Sequence, residues 1–275
     1  MNLVGAAAKD GGLPWLEQAI EKVRDGEDIG VLFPAAGRKL GRGALGADAA
    51  VQPHGASLAA WRIDDAGRVV LIGALKASRP DDFHKTIVDL YQRGDARERV
   101  GVLRGIAFYG DDPELVPLIL DALRTNELST FEAALGENPY ASTHLPQFDF
   151  RKAVLKAVFV GMSIRRIVDL DKRADIELST SLIEYIEERE AATRSVLPEL
   201  WPFIGLNPTD GAVAKILGYL EHPDAEHRSA AAEALATIVV SGDASPLPFL
   251  KSRAARETET LAKDALSSAL MRCEA

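Results

Sequence analysis

The stretch HPDAEHRSAAAEALATIVV, residues 222–240, constrains the fold more than any other part of the sequence. Pro223 and Asp224 end one helix and start the next: proline cannot continue a helix, and an aspartate accepts the free N–H groups of a first turn. Ala231, Ala234, Leu235 and Ile238 then share one face at helical spacing, with Arg228 and Glu233 read as pointing outward. A face built mostly of alanine lets a second helix approach closely. Helices are therefore expected near 174–192 and 224–240, with Ala231, Leu235 and Ile238 buried.

The same grammar of short capped helices runs from about residue 80 onward. Phe83, Ile87, Leu90 and Tyr91 form one apolar stripe. Asp95 and Glu98 have capping-box spacing, ahead of Leu103, Ile106 and Ala107. Asp112 reads as an N-cap with Pro113 at the first helical position, and Ser129 and Glu132 read as an S-x-x-E box. Residues 136–149, GENPYASTHLPQFD, carry two prolines and a polar run, which predicts a long ordered loop. Leu58, Trp61, Val69 and Ile72 fall on a helical repeat, so one helix is expected from about 57 to 76; a buried strand at GRVVLIGAL is the alternative, and Gly67 weakens the helix. The Ala-rich helix at 222–240 resembles the second helix of a HEAT-type repeat, although no strict period survives. The expected fold class is all-α: an irregular α-α superhelix, a HEAT-like helical repeat solenoid, as a single helical domain over 1–275. A non-repetitive helical bundle is the alternative.

Composition narrows the functions. The chain has 275 residues, is 47% hydrophobic and carries a net charge of −9, which argues against nucleic-acid binding through clustered cations. Its one cysteine, Cys273, excludes an intramolecular disulfide and a four-cysteine metal site. The first residues lack a charged segment leading into a long apolar core, and runs such as VVLIGAL are far short of a membrane span. These features predict a cytoplasmic chain.

Few residues offer chemistry. VLFPAAGRKLGRGALG (31–46) is glycine-rich and basic, but Arg42 and Gly43 stand where a P-loop needs Lys and Ser or Thr. It reads as a helix end that presents Arg38, Lys39 and Arg42 to an anionic ligand or an acidic partner, with Arg62 as a neighbour. The histidines, at 54, 84, 144, 222 and 227, form no metal-binding pair, so no metal and no cofactor are expected. His144 lies near Asn138 and Tyr140, a cluster suited to polar recognition, and His84 follows the acidic pair Asp81–Asp82. Asp64 and Asp65 read as local salt-bridge partners of Arg62, not as an acid/base pair. No nucleophile motif is present, so the candidate residues (Arg38, Lys39, Arg42, Arg62, His84, Asn138, Tyr140 and His144) are read as binding residues and none as catalytic.

Several segments in order, LFPAAGRKLGR, AAWRIDDAGRVVLI, FHKTIVDLYQRGDARER, ENPYASTHLPQFDFRKAVLKAVFVG and IVDLDKRADIELSTSLIEYIEER, resemble EboA-type domain proteins over about residues 30–205. Residues 206–275 carry only the generic HEAT-like helices. The resemblance implies a cytosolic helical protein encoded with a prenyltransferase and metabolic-enzyme homologues. That cluster is associated with moving a secondary-metabolite precursor, such as the scytonemin monomer, from cytoplasm to periplasm. The resemblance implies a role in metabolite traffic, and the lack of a catalytic motif favours a non-catalytic binding or scaffold protein. Its implied partners are the other cluster proteins, the membrane prenyltransferase among them, and a small-molecule metabolite. An enzyme with a site of scattered polar residues around 136–149, Arg38 and His84 is the alternative.

Overall fold

The computed structural model describes residues 2–46, 58 and 60–274. Among them the chain is helical, with no strand and only two isolated bridges, Ala44 to Arg62 and Gly136 to Ile167. None of the described helices is long and apolar enough to cross a membrane. The chain divides into two compact units, one of residues 1–156 with 166–168, the other of 157–165 with 169–275.

The first unit opens with α1 (Asn2–Ala7), α2 (Gly12–Arg24) and α3 (Ile29–Leu40), and continues with α4 (Ile63–Ser78), α5 (Phe83–Arg93) and α6 (Ala96–Tyr109). Then come α7 (Val116–Arg124), α8 (Leu128–Leu135), α9 (Pro139–His144) and α10 (Gln147–Val160), which runs on into the second unit. Helix α4 is the centre, packed on α2, α3 and α6 through Leu71, Ile72 and Leu75, all fully buried. The helix expected from 57 starts at Ile63, because Asp65 accepts the Arg62 backbone N–H and fixes the first turn there. Gly67 is a packing requirement rather than a weakness: a Cβ there would meet Leu40 Cδ1 at 2.0 Å.

Local caps explain most boundaries. The Asp95–Glu98 box forms as expected. Asp112 caps a 3-10 turn at Pro113–Leu115 that leads into α7. The cap of α8 is Glu127, not Ser129: its carboxylate accepts the N–H groups of Ser129 and Thr130. The long loop expected at 136–149 is instead folded. Asn138 caps α9, with Pro139 at its first position, and α10 begins at Gln147.

The second unit contains α11 (Leu170–Arg173), α12 (Ile176–Ala191), α13 (Leu200–Leu206), α14 (Ala212–Leu220), α15 (Ala225–Val240), α16 (Leu247–Ala254) and α17 (Thr260–Glu274). Helix α15 is its axis and packs on α13, α14, α16 and α17. Asp224 caps it, and Ala231, Leu235 and Ile238 are buried as expected. Arg228 does not point outward. It is buried and forms a two-pronged pair with Glu257 (2.7 and 2.9 Å), while its third nitrogen donates to the His222 and Pro223 carbonyls. Arg228 first, then Arg253, holds the Glu257 carboxyl far below the usual range despite burial.

His227, buried under α13, accepts a hydrogen bond from Trp201 Nε1 on Nδ1 (3.4 Å), and His222 packs against it at 4.3 Å between ring centroids. Burial, then His222, lowers its pKa, with Asp224 and a hydrogen bond to the Val196 backbone acting the other way. A depressed histidine pKa means the unfolded chain binds the proton more readily. Stability from this site is therefore present above the unfolded value near 6.5 and is lost as pH falls below it. Denaturant titrations at pH 7.5 and pH 5.5 should show a steeper loss for the wild-type chain than for His227→Gln. Equal losses would contradict this placement of the charge change.

Candidate functional site

The sequence WRIDDAGR folds into a buried ion network. Asp64 and Asp65 begin α4 and are each 1% exposed, so neither carboxylate reaches water. Asp64 takes Arg68 Nη1 at 2.8 Å and Arg62 Nε at 3.3 Å. Asp65 takes the Arg62 backbone N–H and Arg104 Nη1 from α6. Arg68 also donates to the Phe33 carbonyl of α3 at 3.3 Å, so one network ties α3, α4 and α6. Gly101 lets it form, since a Cβ there would meet Arg68 Cδ at 2.5 Å. Asp65 Oδ1 has no hydrogen-bond partner. Burial raises the Asp65 pKa, and the Arg104 charge pulls it back. Burial likewise lowers the Arg104 pKa, opposed chiefly by Asp65.

Arg104 connects this network to an apolar pocket. Its guanidinium lies 4.8 Å from the Trp61 ring, and Phe108, one turn on, meets Trp61 edge to face at 5.4 Å. Trp61 and Phe108 line a pocket of about 440 Å³ with Leu3, Val69 and Val70, and the lining contributed by the described residues is mainly apolar, with no charged side chain among them. That volume is within the range of small-molecule sites.

The eight residues singled out in the sequence fall into two sets. Arg38, Lys39 and Arg42 are exposed where α3 ends at Gly41, whose φ of 98° favours glycine. Arg42 and Asp64 both lie beside Gly37, and Arg62 pairs with Asp64, so Arg62 and Arg42 do share a neighbourhood. The second set meets around Asp112. His84 Nδ1 lies 2.8 Å from Asp112 Oδ2, and Tyr140 donates its hydroxyl to the Asp112 carbonyl at 2.6 Å. His144 stacks on Tyr140 at 4.1 Å. Burial first, and then Asp112, pushes the Tyr140 hydroxyl up to about 12, so it remains a donor. Asn138 is buried and occupied: it caps α9 and donates to the Ala133 carbonyl at 3.0 Å. His54 lies outside the described residues.

His84, Asp112 and Glu114 bring three ligand-type atoms within 4.8 Å of one another. The carboxylates flank opposite ring nitrogens, Asp112 at Nδ1 and Glu114 at Nε2, 4.0 Å away. A single ion uses one imidazole nitrogen, so Glu114, whose side chain is 80% exposed, would have to swing across to share it. As placed, the three form an imidazole clasp that fixes α5 to the Asp112 turn.

Sequence reasoning missed Arg68, Arg104 and Phe108. Arg68 had a local signal, since it sits four residues after Asp64, but Arg104 is 39 residues from Asp65 and no local spacing reveals it. The fold and pocket define an all-helical protein with a small-molecule-sized apolar cavity in its first unit. Over residues 2–205 the chain matches the family described as Metabolite traffic protein EboA, and it belongs to that family. The match begins at residue 2, well before the resemblance seen from about residue 30. No curated protein and no solved structure matches the chain.

Removing one member of a buried ion pair strands the other. Arg104→Met should destabilise the chain by about 3–5 kcal/mol, and pairing it with Asp65→Leu should recover most of that loss. Urea unfolding of the two variants checks this; a double variant no more stable than Arg104→Met would contradict it.

Proposed function

We propose that this chain is a non-catalytic binding and scaffold protein that handles a secondary-metabolite precursor within a biosynthetic and export cluster. The observation that carries this reading is the pocket beside Trp61 and Phe108, lined among the described residues mainly by apolar side chains, inside the region that matches the metabolite traffic family. None of the pocket's described lining residues is titratable, which suits holding an apolar molecule rather than transforming it. The polar residues first considered for an enzyme site, Arg38, His84 and Asn138–His144, do not line it. The proposed cargo is a precursor of the scytonemin-monomer type on its way to the periplasm. The proposed partners are the other cluster proteins, including the membrane prenyltransferase, met from the cytoplasmic side. In the second unit, the pairing of α15 with α13 and with α17 across an alanine-rich face supports a HEAT-like stacking of helices.

Two measurements test this. Anilinonaphthalene sulfonate should bind the wild-type chain with quenching of tryptophan emission. Val70→Trp, which fills the pocket from its half-buried side, should weaken binding about tenfold or more without changing the helical circular dichroism. Equal binding by both chains would remove the pocket from the account.

The exposed cations Arg38, Lys39 and Arg42, with Arg62, are proposed as the surface that meets an acidic partner. After a partner is identified by copurification, Arg38→Gln/Arg42→Gln should weaken its binding by about 1–3 kcal/mol per lost charged hydrogen bond, and more so at low salt. The melting temperature should stay within the change expected from about 0.5 kcal/mol. Unchanged affinity at both salt concentrations would reduce these residues to a helix end.

A further inference from the structure

We propose that the second unit carries a docking groove for a basic segment of a partner protein, laid along α15. The groove encloses about 500 Å³ and is bordered by one face of α15, the Gly161–Arg165 turn, Leu197–Glu199 and Leu261. It is distinct from the apolar pocket of the first unit and does not depend on it.

Glu226, Ser229, Ala230 and Glu233 follow the i, i+3, i+4, i+7 spacing that places them on one face of α15, and all four line the groove. At 1.5 Å of rise per residue, the backbone positions of the two glutamates are about 10 Å apart along the helix. Glu199 adds a third carboxylate. It is held in place by Ser163 Oγ (2.6 Å) and the Ile164 N–H (3.0 Å), which leaves acceptor positions on both oxygens. Among the described residues of the lining, Arg165 is the one cation. It reaches Glu233 at 3.2 Å, with both side chains nearly half exposed, a pair that contributes about 0–1 kcal/mol and exchanges readily.

Between the carboxylates the lining mixes the hydroxyls of Ser163 and Ser229 with apolar side chains. Met162 and Ala230 are buried, and Leu261, 53% exposed, forms the edge. Lysine and arginine have the matching anatomy, an aliphatic stem that covers apolar surface and a cationic head that reaches a carboxylate. On a segment in polyproline II conformation, with three residues per turn and a rise of about 3.1 Å, two such side chains three residues apart share one face and lie about 9 Å apart. The charge and spacing of the rim therefore select a peptide with lysines or arginines at i and i+3 and an apolar residue between them.

The test uses the full chain and a fluorescein-labelled peptide, Lys-Leu-Gly-Lys-Leu, with binding read by fluorescence anisotropy. The docking reading predicts affinity reduced about tenfold by Glu226→Gln/Glu233→Gln and about threefold by Leu261→Ser. Glu184→Gln on α12, an exposed glutamate outside the groove, should leave it unchanged. All of these side chains are partly or fully exposed, and circular dichroism checks that each variant folds. Four results would overturn the proposal: no binding up to about 1 mM peptide; no loss in the double variant; an equal loss in Glu184→Gln, which would show unspecific attraction to an acidic chain; or displacement by spermidine at the peptide's own concentration, which would make the groove a small-amine site.

Discussion

Two buried carboxylates set the geometry of the first unit. Asp64 and Asp65 stand next to each other at the start of α4, where the positive end of the helix favours acids, and both are shut away from water. Burial of that kind is tolerable only with hydrogen-bonded partners. Arg68, Arg62 and Arg104 supply them, and in doing so fix where α3 and α6 lie against α4. The apolar pocket depends on the same network, because Arg104 covers one side of Trp61 while Phe108, on the same helix, meets its edge. The polar network positions the cavity, and none of its charged members belongs to the described lining.

The second unit shows the same principle with one carboxylate. Glu257 accepts from Arg228 and Arg253 and from the N–H groups of Thr258 and Glu259. Arg228 uses its remaining donor on the carbonyls that close the turn before α15. The central helix is thereby tied at its first turns by charge and along its length by alanine packing. In both units a helix that reads as amphipathic in sequence carries an arginine inside rather than outside.

What was legible in the sequence was local. The box at Asp95 and Glu98, the caps at Asp112 and Asp224, and the alanine face of α15 depend on residues within one or two turns, and each appears where the spacing places it. Two of the differences arise from distance along the chain. Arg228 reads as outward in the sequence because its partner, Glu257, is 29 residues on. The sequence places Asp64 and Asp65 in salt bridges, which form, but their burial depends on α6. Residues 136–149 differ for a local reason: two prolines and a polar run predict a loop, but Asn138 is a cap and Pro139 the first helical residue after it. Of the candidate residues, His84, Tyr140 and His144 do meet, through Asp112, which was noticed only as a cap. The pocket was not legible, since Leu3, Trp61 and Phe108 share no spacing.

The central claim is that the cavity beside Trp61 holds an apolar metabolite. The most direct measurement is native mass spectrometry, with solvent extraction, of the chain purified from its own cells alongside Val70→Trp purified in the same way. The account predicts a small apolar molecule bound to the wild-type chain in about one equivalent and missing from the filled variant. A wild-type chain that carries no such molecule, or a variant that carries it equally, would contradict the account.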